Sequence, residues 1–168
     1  MISSRLNRVV FVSAAVALAG LLASGAGAQA PVKQAAQDKV TKAAATATNK
    51  VAIQVNQNDK AVMDLALNNA KNVIDYYKEK GETVAVEIVT YGPGLHMLRA
   101  DTSPVKERIA PMSLENPNLA FIACGNTQAN QSKAEGKPVA LISEATVMPS
   151  GVVRLMELQK QGYAYIRP

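Results

Sequence analysis

The chain contains a single cysteine, Cys124, which ends the apolar run NLAFIAC and comes directly before a Gly-Asn-Thr turn. Backbone N–H groups at a helix start stabilise a thiolate, so a thiol at such a position is a candidate nucleophile. Free cysteine is also among the most buried residue types, and an inert core thiol is the competing interpretation. A lone cysteine excludes an intramolecular disulfide and a Cys-x-x-Cys redox pair.

His96 is the only histidine. A Cys–His pair is the usual way to activate a thiol nucleophile, but the spacing does not show whether His96 and Cys124 meet. A pair and a solitary loop histidine therefore both stay open. One Cys and one His make a poor metal site, so we expect no metal, and nothing in the sequence indicates a cofactor.

Other candidate residues occupy turns and helix starts, where backbone N–H groups or short polar side chains could contact an anion. The YGPGL segment could offer such N–H groups, or be plain turn chemistry. The serine of PSGVV is predicted to cap a helix, since no Gly-x-Ser-x-Gly elbow surrounds it. The predicted binding residues are Asn56, Gly92, Gly94, Gly125, Asn126, Thr127, Ser150 and Gly151.

The elements that must position these residues alternate between β and α patterns. Apolar runs at 51–56, 83–92, 118–124, 144–149 and 163–168 predict strands, and segments 59–81, 126–137 and 150–162 predict helices. Such alternation predicts a single flavodoxin-like α/β domain, with a five-stranded, mainly parallel sheet and helices on both faces. We expect the strand order 2-1-3-4-5.

In the first helix, five side chains fall on one face, and Asn58 or Asp59 is the predicted cap. In the last helix, Val152, Leu155 and Met156 are predicted to point inward. Glu87 is assigned to an edge strand, because a central strand would bury its charge. The five side chains on the first helix face are Met63, Leu67, Ala70, Ile74 and Tyr77.

Ligands of such sheets bind beyond the carboxyl ends of the strands, where the strand order reverses. For the order 2-1-3-4-5, residues 56–59 and 124–127 would lie beside one crevice. The sequence thus predicts that the single thiol lies where proteins of this fold usually bind their ligands.

The first 28 residues have the layout of a secretory signal peptide: Arg5 and Arg8, then an apolar stretch at residues 9–22, then small residues. Two small-x-small sites compete, and we expect cleavage after Ala28. Fourteen apolar residues are short for a membrane span, so we expect no stable membrane insertion and a periplasmic location. Residues 29–49 are poor in large apolar side chains and predict a flexible leader before a domain at 50–168.

Charge argues against nucleic-acid binding. Residues 1–28 carry two arginines and no acidic residue, so their removal lowers the net charge from +5 to +3. The remaining Lys and Arg residues are scattered, with no basic stripe interleaved with aromatics.

The motifs AFIACGNTQ, YGPGLHML and VMPSGVVRLMELQKQGYAYIRP occur in an order that resembles a secreted subgroup of the DsrE/DsrF-like family, over about residues 50–168. The resemblance implies a flavodoxin-like domain that assembles as a homotrimer or hexamer. For cytoplasmic relatives it implies sulfur relay, in which a cysteine carries sulfur as a persulfide, and Cys124 lies near the matching strand end.

Two functions follow as hypotheses. In the first, Cys124 accepts or carries sulfane sulfur, exchanging it with a donor or acceptor protein. In the second, the chain is a non-catalytic oligomeric binding module for a small anionic ligand or partner protein. A lowered thiol pKa with open access favours the first, and burial of the sulfur among Phe121, Ile122 and Val147 favours the second.

Overall fold

The computed structural model describes residues 46–168. The predicted signal peptide and most of the predicted leader lie outside the described residues. The first strand begins at Asn49, one residue before the predicted domain boundary, and Ala47 already packs into the core.

The described chain alternates strands and helices, as the hydrophobic pattern predicts. The strands are β1 (Asn49–Val55), β2 (Val84–Thr90), β3 (Leu119–Cys124), β4 (Ala145–Met148) and β5 (Ala164–Ile166). The α-helices lying wholly within residues 46–168 are α1 (Lys60–Glu79), α2 (Lys106–Glu115), α3 (Gly125–Glu135) and α4 (Gly151–Lys160). A 3₁₀ helix, Gly92–Leu98, follows β2.

All five strands run parallel in one sheet, so the predicted α/β class is confirmed and fits a flavodoxin-like domain. The predicted order 2-1-3-4-5 is wrong, since the observed order is β4-β3-β2-β1-β5. Successive strands from β1 to β4 step in one direction, and only β5 returns to the other side of β1. Hydrophobic patterns show that a strand is buried but not which neighbour it pairs with, so they could not separate these orders.

In the observed sheet, the direction in which successive strands are added reverses between β1 and β5. Residues 56–59 and 124–127 are therefore not adjacent as predicted, because the end of β2 lies between them. At the carboxyl edge, β3 instead has β2 and β4 as neighbours. The neighbours of Cys124 therefore come from the ends of β2 and β4 and from the segments that follow them.

Two apolar clusters cover the two faces of the sheet. Side chains alternate along each strand, so Phe121 points to one face and Ile122 to the other. The larger cluster joins the sheet to α1, the 3₁₀ helix and α2, and includes Val51, Ile53, Val55, Met63, Leu67, Val86, Ile88, Leu95, Leu98, Ile109 and Phe121. The smaller cluster joins the sheet to α4, and comprises Ala47, Ala52, Ala85, Val89, Ile122, Leu155, Leu158 and Tyr163.

Right-handed crossovers explain this division. Steps from β1 to β3 place their connecting helices on one face, and the return from β4 to β5 places α4 on the other. The prediction of helices on both faces is thereby confirmed.

Helix boundaries follow their capping residues. The Asp59 carboxylate accepts the Ala61 N–H at 2.7 Å and starts α1, so Asp59 is the cap among the two predicted. Ser150 accepts the Val153 N–H at 3.5 Å and starts α4, as predicted. Gly81 ends the α1 segment with a left-handed φ of +69°.

Helix α4 turns a different stripe inward than predicted. Leu155 is buried as expected, but Val152 and Met156 are half-exposed and were wrongly assigned to the core. The inward positions begin at Gly151 and recur at Leu155 and Leu158, which gives the four- and three-residue intervals of a helix face.

The assignment of Glu87 to an edge strand is also wrong. Strand β2 lies at the centre of the sheet, and Glu87 is 1% exposed on the α4 face. Its charge is tolerated because Arg154 of α4 binds it through two hydrogen bonds, Nε to Oε2 at 2.9 Å and the second nitrogen to Oε1 at 2.5 Å.

Candidate functional site

Cys124 occupies a junction between a strand and a helix. It is the last residue of β3 and the N-cap of α3, and its sulfur accepts the Thr127 N–H at 3.5 Å. Because no loop separates the two elements, the thiol points directly at the first turn of the helix. The residue is 4% exposed.

Two opposing effects act on the pKa of the Cys124 thiol: its burial, and the polar groups that lie near it. Burial raises the pKa of the Cys124 thiol, whereas the Thr127 hydroxyl and the backbone N–H groups of Gly151, Thr127 and Asn126 lower it. The donors prevail, and the pKa lies below that of an ordinary cysteine. Hydrogen bonds to the charged form thus outweigh desolvation at this position.

The groups that lower the thiol pKa come from two helices. Thr127, whose N–H donates to the sulfur, and Asn126, whose N–H donates to the Pro149 carbonyl oxygen, belong to the first turn of α3, and Gly151 is the first residue of α4. Helix N-termini carry partial positive charge, so both helix starts favour negative charge on the same sulfur. Gly151 is among the predicted binding residues, and in the structure it packs directly against Cys124.

Close packing explains the glycine at position 151. A Cβ atom there would lie 3.0 Å from the Tyr91 Cβ, 3.2 Å from the Tyr91 Cδ1 and 3.3 Å from the Cys124 Cβ. A larger residue would force Tyr91, Cys124 or the start of α4 to shift by a few tenths of an ångström. Gly151 thus permits the close packing of the start of α4 against Cys124 and Tyr91.

Thr127 links the thiol to the segment after β2. Its Oγ1 accepts the Gly92 N–H at 3.0 Å, its backbone N–H donates to the Cys124 sulfur at 3.5 Å, and its side chain lowers the pKa of the thiol. The Gln131 side-chain amide donates to the Gly92 carbonyl oxygen at 3.3 Å, so α3 holds both sides of this residue. Gly92 has a left-handed φ of +53°, which favours glycine.

Gly92 and Gly94 lie beside the site, but their N–H groups have partners within the fold. The Gly94 N–H donates to the Tyr91 carbonyl oxygen at 3.1 Å. A Cβ on Gly94 would lie 2.2 Å from the Val55 carbonyl oxygen and 2.7 Å from the Asn56 Cα. Gly94 thus permits close contact with the end of β1, and Asn56 belongs to that contact rather than to the surroundings of the sulfur.

The remaining predicted residues support the two helix starts. Gly125 packs against β4, where a Cβ would lie 3.2 Å from the Met148 carbonyl oxygen. The Asn126 N–H donates to the Pro149 carbonyl oxygen at 3.1 Å, while its side chain is exposed. Ser150 caps α4.

His96 lies in the 3₁₀ helix and contributes none of the hydrogen bonds to the Cys124 sulfur found within residues 46–168. Phe121 and Val147 pack in the larger cluster on the opposite face, and only Ile122 shares the face of Cys124. In the same part of the chain, no group of three or more His, Cys, Asp or Glu side chains is arranged to hold a metal ion.

Tyr91 is a residue beside the thiol that the sequence did not indicate. Tyr91 packs against Gly151 and into the smaller cluster, and burial raises the pKa of its hydroxyl, with a further rise from Tyr165. The Tyr165 hydroxyl donates to the Gln54 side-chain oxygen. An aromatic residue directly after a strand was the available signal for Tyr91, but it needed the true strand order to place it beside Cys124.

Comparison with known proteins gives a structural likeness without a function. The chain is similar to the solved structure of MTH1491 from Methanobacterium thermoautotrophicum, a protein of unknown function. The two share 28% sequence identity with a TM-score of 0.61, over 71% of this chain and 99% of that one. No family model matches the chain, and neither does any curated protein.

Between residues 46 and 168, no helix has both the length and the apolar character needed to cross a membrane.

Proposed function

We propose that this chain is an exported sulfur-handling protein of the DsrE/DsrF-like type, in which Cys124 accepts and carries sulfane sulfur as a persulfide. The observation that carries the proposal is the position of one thiol between two helix starts: its sulfur accepts the Thr127 N–H of α3, and its Cβ packs against Gly151 of α4. A thiolate is the nucleophilic form of cysteine, and these donors favour it.

The reaction is a sulfur transfer onto the thiolate. The Cys124 sulfur attacks the sulfane sulfur of a polysulfide or of thiosulfate, and a new S–S bond forms. The bond between the sulfane sulfur and its former neighbour breaks, and the electron pair leaves with the shortened polysulfide or with sulfite. The same donors stabilise the negative charge of the resulting persulfide.

The exposure of the thiol restricts the donor. With Cys124 only 4% exposed, a small inorganic donor or a narrow sulfur chain can reach the sulfur more readily than a folded protein surface. We propose that Tyr91, which packs against Gly151 beside the thiol, borders the approach. The expected periplasmic location rests on the signal-peptide pattern of residues 1–28.

Assembly as a homotrimer or hexamer is part of the proposal. Val152, Val153 and Met156 form a half-exposed apolar stripe on α4, which is the kind of surface that subunit contacts cover. Light scattering of the mature protein should return a trimer or hexamer, and a monomer at micromolar concentration would contradict this part.

The chemical test is intact-mass spectrometry of the mature protein after incubation with polysulfide or thiosulfate. The wild type should gain the mass of one sulfur atom and lose it on treatment with a reductant, and Cys124→Ser should gain none. A wild type that stays unmodified, or a serine variant that is modified equally, would refute the sulfur-carrier function.

The low exposure of Cys124 favours a second candidate, the non-catalytic oligomeric binding module with an incidental thiol. In that function the Cys124→Ser variant keeps ligand or partner binding, and the native thiol resists alkylation. Iodoacetamide labelling of the folded protein separates the two candidates, because a persulfide carrier must expose its sulfur to a small reagent.

A further inference from the structure

The face of the sheet that bears the smaller cluster also carries an ion pair, which neither apolar packing nor the thiol chemistry described above requires. Glu87 lies in the middle of β2 and is 1% exposed, and the side chain of Arg154 is 12% exposed. Buried ion pairs often contribute less stability than apolar side chains of similar size, because both charges must be desolvated. The pair therefore calls for a role other than stability.

The pair acts on the part of α4 that meets the thiol. Arg154 lies three residues after Gly151, and its N–H donates to the Ser150 carbonyl oxygen at 3.0 Å, which closes the first helical turn. The bidentate hydrogen bonds from the Arg154 guanidinium to the Glu87 carboxylate hold this turn against β2. A bidentate pair restricts both the position and the orientation of the guanidinium.

The sheet completes the connection to the sulfur. Glu87 is paired in register with Ala120 of β3, the strand that ends at Cys124. The same two neighbouring strands thus carry the anchor of α4 and the thiol that lies against its first residue, Gly151. A change at Glu87 would reach the thiol through α4, without direct contact.

We propose that Glu87 and Arg154 are positioning residues that hold the Gly151 N–H against the Cys124 sulfur and thereby set the reactivity of the thiol. This inference rests on the proposed function, since it concerns the same thiol. It assigns a purpose to a charge that a central strand would otherwise exclude.

Tyr163 supplies a matched control. Its hydroxyl is buried and has no hydrogen-bond partner within residues 46–168. Burial, together with the nearby charge of Glu87, raises the pKa of Tyr163 to about 12. Tyr163→Phe therefore changes the neighbourhood of the ion pair without breaking the link to α4.

The test measures the pH dependence of Cys124 alkylation by iodoacetamide. In the double variant Glu87→Met/Arg154→Met, apolar side chains replace both charges, a change that folded proteins often tolerate. Its alkylation midpoint should rise by about one pH unit, the equivalent of one hydrogen bond to a charged group. Tyr163→Phe should keep the wild-type midpoint, as should Arg108→Met, which removes an ion pair with Asp64 elsewhere in the domain.

A folded double variant with the wild-type midpoint would overturn the inference. If the double variant does not fold, Arg154→Lys provides the test, because it keeps the positive charge but loses the bidentate hydrogen bonds. Its alkylation midpoint should rise by a smaller amount. An unchanged midpoint in this variant would contradict the inference. A wild-type midpoint at the ordinary cysteine value would refute the proposed function itself. That result is distinguishable from a lowered wild-type midpoint that the variants fail to move.

Discussion

The two faces of the sheet differ in the kinds of side chain that cover them. The face covered by α1, the 3₁₀ helix and α2 is packed with large apolar side chains such as Met63, Leu67 and Phe121. The face covered by α4 has small alanines, an ion pair and the thiol. The difference suggests a division of labour, in which the first face stabilises the domain and the second positions the groups around Cys124.

The strongest way to test this division is to damage the larger cluster alone. Leu67 of α1 is fully buried there, so Leu67→Ala should lower the free energy of unfolding by about 2–5 kcal/mol. The alkylation midpoint of Cys124 should stay at the wild-type value in buffer, where the variant is still folded. Urea denaturation and alkylation on one sample check both statements, and a shifted midpoint would show that the faces are coupled.

Gly151→Ala attacks the second face at the point of closest contact. The added Cβ would lie 3.0 Å from the Tyr91 Cβ and 3.3 Å from the Cys124 Cβ, so the packing of α4 against these two side chains must loosen. We expect a loss of about 1–3 kcal/mol in unfolding free energy. The alkylation midpoint of Cys124 should rise, because the Gly151 N–H retreats from the sulfur.

Gln159, an exposed polar residue of the same helix, gives the control for that variant. Gln159→Ala should change stability by no more than about 0.5 kcal/mol and leave the midpoint in place. If Gly151→Ala behaved like Gln159→Ala, α4 would not contribute to the thiol site.

Thr127→Val removes one hydroxyl at nearly constant shape. The Cys124 sulfur loses a donor and the Gly92 N–H loses its acceptor, so the alkylation midpoint should rise and stability should fall by about 1–3 kcal/mol. Thr127→Ser keeps the hydroxyl and should restore the midpoint. A serine variant that matched the valine variant would mean that packing of the methyl group, and not the hydroxyl, matters.

The smallest expected effect is a pH dependence of stability. Because the pKa of Cys124 is lower in the folded state than in the unfolded state, the unfolded thiol holds its proton to higher pH. The wild type should therefore gain stability relative to Cys124→Ser as pH rises from the folded-state pKa to about 8.5, the ordinary cysteine value. Thermal melts of both proteins across this window should diverge in that direction, and parallel curves would contradict the lowered pKa.

Local sequence signals predicted what depends on local structure. The period of apolar residues located the strands, and Asp59, Ser150 and Gly81 marked helix ends, because capping involves residues a few positions apart. Gly125, Asn126 and Thr127 were placed at the thiol because they follow it directly. Gly151 was included among the binding residues because it begins the helix that the serine of PSGVV is predicted to cap.

What the sequence could not supply depends on pairing between distant segments. The strand order, the central position of Glu87 and the approach of Tyr91 to Gly151 all follow from which strands are neighbours. The partner that makes Glu87 tolerable, Arg154, lies 67 residues away on a helix. The balance at Cys124 between burial and hydrogen bonding was likewise open, since it needs the positions of donors from α3 and α4.

The central claim is that hydrogen-bond donors outweigh burial at Cys124 and keep its sulfur reactive. It is tested most directly by iodoacetamide alkylation of the mature wild type across pH, run in parallel on native and urea-unfolded protein. The native midpoint should lie below the unfolded one, which itself should fall near 8.5. A native midpoint at or above the unfolded value, or a native thiol that does not react, would contradict the claim.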